Sequence, residues 1–179
     1  TIVAVIAAWA YSAEPVRLKK SGYFGPGLVG LSYETLPWFT GAAVLAAGFP
    51  RVEIIIVALL YGIGAHGIMT LNDFKALEGD LQTGVRSLPV TLGPERAARM
   101  ACWIMAVPQL GVVAALAFWD RPIHALAIAL LLALQLLAMR RLLGDPKRLA
   151  PWYNATGVTL YVSGMMIAAF ALRATGVSP

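Results

Sequence analysis

TLNDFKALEGDLQTGVRSLP, residues Thr70–Pro89, is where this sequence changes character. The chain before it, from Ile54 to Met69, is an almost unbroken apolar run. Within a few residues it meets Asn72, Asp73, Lys75, Glu78, Asp80 and Arg86. An apolar run of this length that ends in charge is the signature of a helix leaving a hydrocarbon layer.

The rest of the chain supports that reading. Of 179 residues, 59% are hydrophobic and only 13% charged, and the mean hydropathy is +0.74, outside the range of ordinary soluble domains. The fold class expected is all-α and integral to the membrane, a multi-helix transmembrane bundle. About 20 apolar residues span the hydrocarbon core. One partial helix (1–9) and five complete ones (27–48, 53–72, 98–118, 123–140 and 154–173) are expected, each bounded by charge, Pro or Gly. No basic segment precedes the first residues and no small-residue cleavage pattern follows them, so a secretory signal is a poor reading. The chain is read as starting inside a helix, and Thr1 is not an initiator Met.

A net charge of +5 does not imply nucleic acid here, because the cations alternate from end to end of the spans. Arg17, Lys19, Lys20, Lys75, Arg86, Arg96, Arg99, Arg140, Arg141, Lys147 and Arg148 lie in one set of loops. Arg51, Arg121 and Arg173 lie at the alternate ends. Eleven against three is a positive-inside pattern, and it assigns the loops around 10–26, 73–99 and 140–152 to the cytoplasm. The turns Gly48–Val52 and Trp119–Pro122 then face the other side. The lone Cys102 reads as a small buried hydrophobe.

The two longest polar segments, Ala10–Pro26 and Asp73–Arg96, thus share one end of the bundle. In a helix continued past Leu71, Asp73 and Asp80 are seven residues apart and return to nearly one face, while Lys75 and Glu78 are spaced for a local ion pair. Magnesium is commonly held by one or two carboxylates together with substrate phosphates. Asp73 and Asp80, with the amide oxygen of Asn72, suit such a site, and Arg86, beyond Gly79 and Gly84, can fold back as a phosphate clamp. The same spacing equally describes solvated charges at a helix end. The basic segment YSAEPVRLKKSGYFGPG (Tyr11–Gly27) offers Arg17, Lys19 and Lys20 either to a diphosphate or to anionic lipid headgroups. Tyr11 is either an interfacial aromatic or part of a site.

Two residues inside the expected spans add to the candidates. Glu34, near Pro37, is an intramembrane carboxylate that either lines a cavity or is a hydrogen-bonded structural group. His66, seven residues before Asp73, can ligate the central magnesium of a chlorin, orient a carboxylate, or serve as a core histidine. Gly62, Gly64 and Gly67 on the same helix read as close-packing positions.

Together, YSAEPVRLKKSGYFG and, some 60 residues on, NDFKALEGDLQTGVRSLPVTLG closely resemble the UbiA superfamily of membrane prenyltransferases, and within it the chlorophyll and bacteriochlorophyll synthase branch. YETLPWFTG (Tyr33–Gly41) resembles that branch as well. Ala76 stands where other members of the superfamily carry a further acid. The resemblance covers residues 9–100 by motif and the remainder by topology.

It implies a bundle of nine transmembrane helices around a central cavity, in a bacterial inner or intracytoplasmic photosynthetic membrane, with the active-site loops cytoplasmic. It implies Mg2+ and a prenyl diphosphate bound by two Asp-rich loops. The reaction implied is transfer of a geranylgeranyl or phytyl group to the propionate carboxylate of chlorophyllide or bacteriochlorophyllide. The wording around Ala76 and QTGVRSLPVTLG favours bacteriochlorophyllide. By the same resemblance Asn72, Asp73 and Asp80 form the second acidic motif and hold the metal, Arg17 and Lys19 are catalytic cations, and Tyr11 helps hold the diphosphate. Lys75, Glu78, Arg86, His66 and Glu34 complete the candidate substrate-binding set. Membrane lipid and other pigment-biosynthesis or photosystem-assembly proteins are the expected partners.

The sequence departs from the branch at Leu81, where Arg is the more usual residue after the acid. The first acidic motif, expected upstream of Thr1, is not in the sequence, which therefore resembles the C-terminal portion of a synthase. Two other readings stay open: a noncatalytic membrane subunit that holds pigment, and a UbiA-type prenyltransferase acting on a quinone or haem precursor.

Overall fold

The structure, a computed structural model, describes residues 2–173. These are mostly helical, without a strand among the described residues. The helices in chain order are α1 (Ile2–Ser12), α2 (Phe24–Gly30), α3 (Leu36–Leu45), α4 (Val52–Asn72), α5 (Leu77–Thr83), α6 (Leu88–Leu92), α7 (Pro94–Phe118), α8 (Pro122–Leu142) and α9 (Pro146–Arg173). Four are long and apolar enough to cross a membrane: α4 with the turn that follows it to Lys75, α7, α8 and α9. The chain is a multi-pass membrane protein built as a helical bundle.

The boundaries depart from the expected spans in one consistent direction. Helices α7 and α9 begin at Pro94 and Pro146, not near 98 and 154, and α8 runs on to Leu142. Hydropathy marks only the part of a helix that sits in hydrocarbon. The extra turns carry Glu95 and Arg96, Arg141, or Lys147 and Arg148, charges that suit a headgroup layer while the backbone stays helical. Pro in the first turn of all three suits an end whose N–H groups have no intrahelical partner.

The expected span 27–48 is not a uniform α-helix. It runs from Phe24 to Leu45 with a π-helical stretch, Leu31–Thr35, set between α2 and α3. The extra residue per turn re-aims the side chains around it. Thr35 is thereby turned into the bundle, where its hydroxyl donates to the carbonyl of Ala58 at 3.1 Å. The helix closes at its far end when Ala47 enters the left-handed region and the Gly48 amide returns to the Ala43 carbonyl at 3.1 Å.

Helix α4 is the axis of the bundle and packs against α2, α3, α7 and α9. Its glycines make this possible, as their spacing suggests. A Cβ on Gly62 would collide with the Thr35 hydroxyl, one on Gly64 with the Tyr161 hydroxyl of α9, and one on Gly67 would stand 2.5 Å from the Ala101 carbonyl of α7. Tyr161, fully buried, donates to the Tyr61 carbonyl at 2.8 Å and stacks edge-on against that ring. The core beyond α4 lies between α7, α8 and α9, where buried Gln109 donates to Gln135 at 2.9 Å. Cys102 is buried and free, as its apolar setting predicts.

At one end of the bundle the two polar segments meet. The chain leaves α1 through a salt bridge of Arg17 to Glu14 at 2.7 Å and turns once through Leu18–Lys20. It then runs beside Arg86 in an isolated parallel bridge at Ser21. The Arg86 amide donates to Lys20 at 3.2 Å, and the Gly22 amide donates back to Arg86 at 2.9 Å. Gly22 has no room for a side chain, since a Cβ there would stand 2.7 Å from the Arg86 carbonyl.

Two outcomes follow from this packing. Gly67→Ala lowers stability by about 1–3 kcal/mol, as expected for overpacking. Gly41→Ala, whose Cβ meets nothing within 4 Å, shifts it by no more than about 0.5 kcal/mol; thermal unfolding in detergent measures both. Gly22→Ala separates the two polar segments. Hydrogen exchange at the Arg86 amide then rises about tenfold by local opening, while Gly79→Ala, equally unhindered, leaves it unchanged.

Candidate functional site

The acidic side of the polar end is built by a break in the helix. Helix α4 stops at Asn72, a single 3-10 turn covers Asp73–Lys75, and α5 starts anew at Leu77 after Ala76 leaves helical geometry. The expectation of one helix running through Asp73 and Asp80 is corrected by this break. Asp73 opens the 3-10 turn and Asp80 stands on α5, the next helical piece. The expected ion pair of Lys75 and Glu78 is not formed among the described residues: the break puts them on different helical pieces, and both are exposed. Gly84 ends α5 in the left-handed region at φ +69°, and the chain then turns to Arg86.

Asp73 is half-buried, and among the described residues its carboxylate makes no hydrogen bond or ion pair. Asn72 beside it is better held. Its amide oxygen accepts from Asn154 of α9 at 2.9 Å, and its amide nitrogen donates to the Met69 sulfur at 3.9 Å. Asn154 was not singled out by the sequence. It stands at the edge of an apolar run, where one amide gives no periodic signal and only the packing of α9 on the end of α4 gives it meaning.

On the basic side, the stitched backbone brings Arg86 next to Lys19 and Lys20. Arg17 is turned toward Glu14, which it holds with Lys20 at 3.8 Å as a second cation. Its hydrogen bond holds the exposed Glu14 carboxyl below the usual carboxylate range. Arg17 itself has left-handed backbone geometry, φ 36°. Among the described residues the side chains of Lys19 and Arg86 make no hydrogen bond or ion pair, and both are exposed.

Below this mouth a cleft of about 940 Å³ opens between α1, the α2–α3 helix and α4. Its wall is mostly apolar, with Ala7, Leu28, Ile68 and Met69 among the lining residues. Tyr11 and Glu34 face it as well, the latter from the π-helical stretch. Tyr11 and Glu34 therefore share one cleft, and Met69 links it to Asn72. His66 lines a separate, smaller pocket of about 280 Å³ with Thr35 and Ile104. Its Nε2 lies 3.0 Å from the Tyr23 carbonyl, which can only accept, so Nε2 carries the proton. Nδ1 is left to the Thr70 hydroxyl at 3.4 Å. The ring thus ties α4 to the start of α2.

The donor set at the polar end suits a hard cation. It consists of oxygens alone, two carboxylates and an amide. No group of three or more His, Cys, Asp or Glu stands together among the described residues. Such a set cannot form a cage by itself, but it fits a divalent cation that keeps water and shares phosphate oxygens. The Asn154 amide oxygen, buried without a protein partner, is a further acceptor for such a hydration shell.

Comparison with known proteins agrees with the motifs. The profile of the UbiA prenyltransferase family matches residues 1–163. The chain is 66% identical over 179 residues to the bacteriochlorophyll synthase 33 kDa chain of Cereibacter sphaeroides, covering 100% of this chain and 59% of that one. It is 56% identical to the protein of the same name from Rhodobacter capsulatus, covering 97% and 58%. With the chloroplastic chlorophyll synthase of Arabidopsis thaliana it shares 34% identity over 92% of this chain and 42% of that one. The chain thus spans little more than half the length of these relatives. No solved structure matches it. The break after Asn72, the stitched basic segment and the family profile over residues 1–163 lead to one assignment: this chain belongs to the UbiA prenyltransferase family.

Proposed function

We propose that the chain is part of a bacteriochlorophyll synthase. It would transfer a geranylgeranyl or phytyl group from its diphosphate to the propionate carboxylate of bacteriochlorophyllide, with the polar end of the bundle on the cytoplasmic face of a photosynthetic membrane. What supports this reading is that Asp73 and Asp80, neither of them hydrogen-bonded or ion-paired among the described residues, share an end of the bundle with the basic segment stitched at Ser21 and Arg86, and that the apolar cleft reaches Tyr11 and Met69 near that end. The 66% identity to the bacteriochlorophyll synthase chain supports the choice of acceptor.

The chemistry follows from where charge develops. The bond between the allylic carbon and the diphosphate oxygen breaks, its electron pair leaves with the diphosphate, and a carboxylate oxygen of the acceptor forms the new bond. Asp73, Asp80 and Asn72 hold the cation, for which we propose Mg2+, and that cation when bound neutralises charge on the departing diphosphate. Lys19 and Arg86 donate hydrogen bonds to phosphate oxygens, Arg86 through a fork suited to two of them. Arg17 keeps Glu14 engaged, so that this carboxylate does not compete for the cations. The acceptor is already ionised near neutral pH and needs no strong general base. The cleft wall excludes water from the allylic centre and receives the isoprenoid chain, and Tyr11 and Glu34 supply its polar positions. Lys75 and Glu78, exposed beyond the break, act at its rim.

The reading is tested on the natural full-length polypeptide in detergent, with bacteriochlorophyllide and geranylgeranyl diphosphate as substrates. Asp73→Asn and Asp80→Asn each lower ester formation by about 100-fold, and Gln82→Ala, an exposed position given no role in the site, leaves it nearly unchanged. Wild-type rates in Asp73→Asn overturn the catalytic role, and acceptance of a quinone or haem precursor in place of bacteriochlorophyllide overturns the acceptor. Narrowing the cleft at α1 with Ala8→Trp favours geranyl over geranylgeranyl diphosphate by about tenfold in kcat/KM, read by competition between the two donors.

A further inference from the structure

The amide that stands next to the acid pair is not free to turn. Asn72 lies at the last residue of α4, and Asn154 lies about two turns into α9. The Asn154 Nδ2 donates to Asn72 Oδ1 at 2.9 Å, joining residues 82 apart in sequence. The other half of the Asn72 amide donates to the Met69 sulfur at 3.9 Å. The Met69 contact sets which end of the Asn72 amide faces Asn154. Rotated by 180°, Asn72 would set its oxygen against the sulfur lone pairs and its NH2 against the NH2 of Asn154. A carboxamide oxygen has two lone pairs. Asn154 occupies one, and among the described residues no protein donor takes the second.

The Asn154 side chain has a cost of its own. Its Oδ1 is buried without a protein partner, and an unsatisfied buried acceptor is destabilising. A residue kept only to join α9 to α4 would be better served by two satisfied ends or by an apolar contact.

Resting on the reading of Asn72, Asp73 and Asp80 as a cation site, we propose that Asn154 is a positioning residue of that site. It holds the Asn72 amide oxygen toward the cation from a helix that carries none of the acidic motif. α9 thereby becomes part of the diphosphate end of the bundle, and the cation's affinity depends on how α9 seats against α4.

The test is a double-mutant cycle on Mn2+ binding to the full-length polypeptide in detergent, followed by electron paramagnetic resonance, with Tm measured on every variant. Asn72→Ala and Asn154→Ala each weaken Mn2+ by about tenfold, and the double variant is no weaker than Asn72→Ala alone. Asn154→Leu, which keeps the volume and loses the donor, behaves as Asn154→Ala and covers the case in which the smaller side chain does not fold. Wild-type Mn2+ affinity in Asn154→Leu, with or without a fall in Tm, overturns the proposal and leaves the cation site standing. Losses that multiply to about 100-fold in the double variant overturn it too, because the two residues then act independently. A wild-type protein that binds no Mn2+ overturns the cation site itself, and the positioning role with it.

Discussion

Everything at the polar end depends on how closely other helices can approach α4. Between helices in lipid the surrounding hydrocarbon is as apolar as the side chains, so association relies on close contact of small residues. At 3.6 residues per turn, Gly62, Gly64 and Gly67 point in three directions around the axis. They meet the π-helical stretch, α9 and α7 respectively. One helix can then be gripped by three elements at once, which an alanine or leucine at any of the three positions would hinder. Because α4 is fixed along its length, its last residue is fixed too, and Asn72 and Asp73 are delivered to a defined place.

The loops at that end inherit their order from the same source. Neither polar segment has a hydrophobic core of its own. The basic one is held by backbone hydrogen bonds to Arg86 and by the His66 ring of α4 on the Tyr23 carbonyl. His66 shows how a residue inside an apolar run can act on the site without belonging to the cleft. Its Nε2 serves the junction of α4 with the basic segment at the Tyr23 carbonyl, while Nδ1 faces Thr70 on α4 itself.

Hydropathy and charge made the membrane class, the four long spans and the clustering of polar segments legible from the sequence. The glycines of α4 read correctly as packing positions because small residues among bulky apolar ones have few other uses in such a helix. Three features were not legible, for different reasons. The π-helical stretch around Glu34 arises where the helix passes α4 and is a matter of tertiary fit, so Leu31–Thr35 shows no local signal. The break at Ala76 was hidden because DFKALEGDLQT has good helical composition on both sides, and Ala disfavours no helix. Asn154 lies far from the motif in sequence, and only the seat of α9 against Asn72 reveals it. In each case the missing information is a contact between helices, which periodicity within one helix cannot encode.

The two charged segments share a common incompleteness. Asp73 and Asp80 are like charges at one end of an apolar bundle, where charge is weakly screened. No cation of the chain is bonded to either among the described residues. Lys19 and Arg86, across the stitched bridge, are likewise without an anion among the described residues. Had the fold simply needed neutral ends, the two sets would be paired with each other, as Arg17 and Glu14 are at 2.7 Å. Keeping them apart costs stability, and the cost is recovered only when a ligand carries both signs. A divalent cation with a diphosphate has that character: its positive end suits the acids, its negative oxygens suit the bases, and an isoprenoid tail suits the apolar cleft beneath. The separation of charge at this end is thus what ties the physics of the bundle to the prenyl transfer proposed for it.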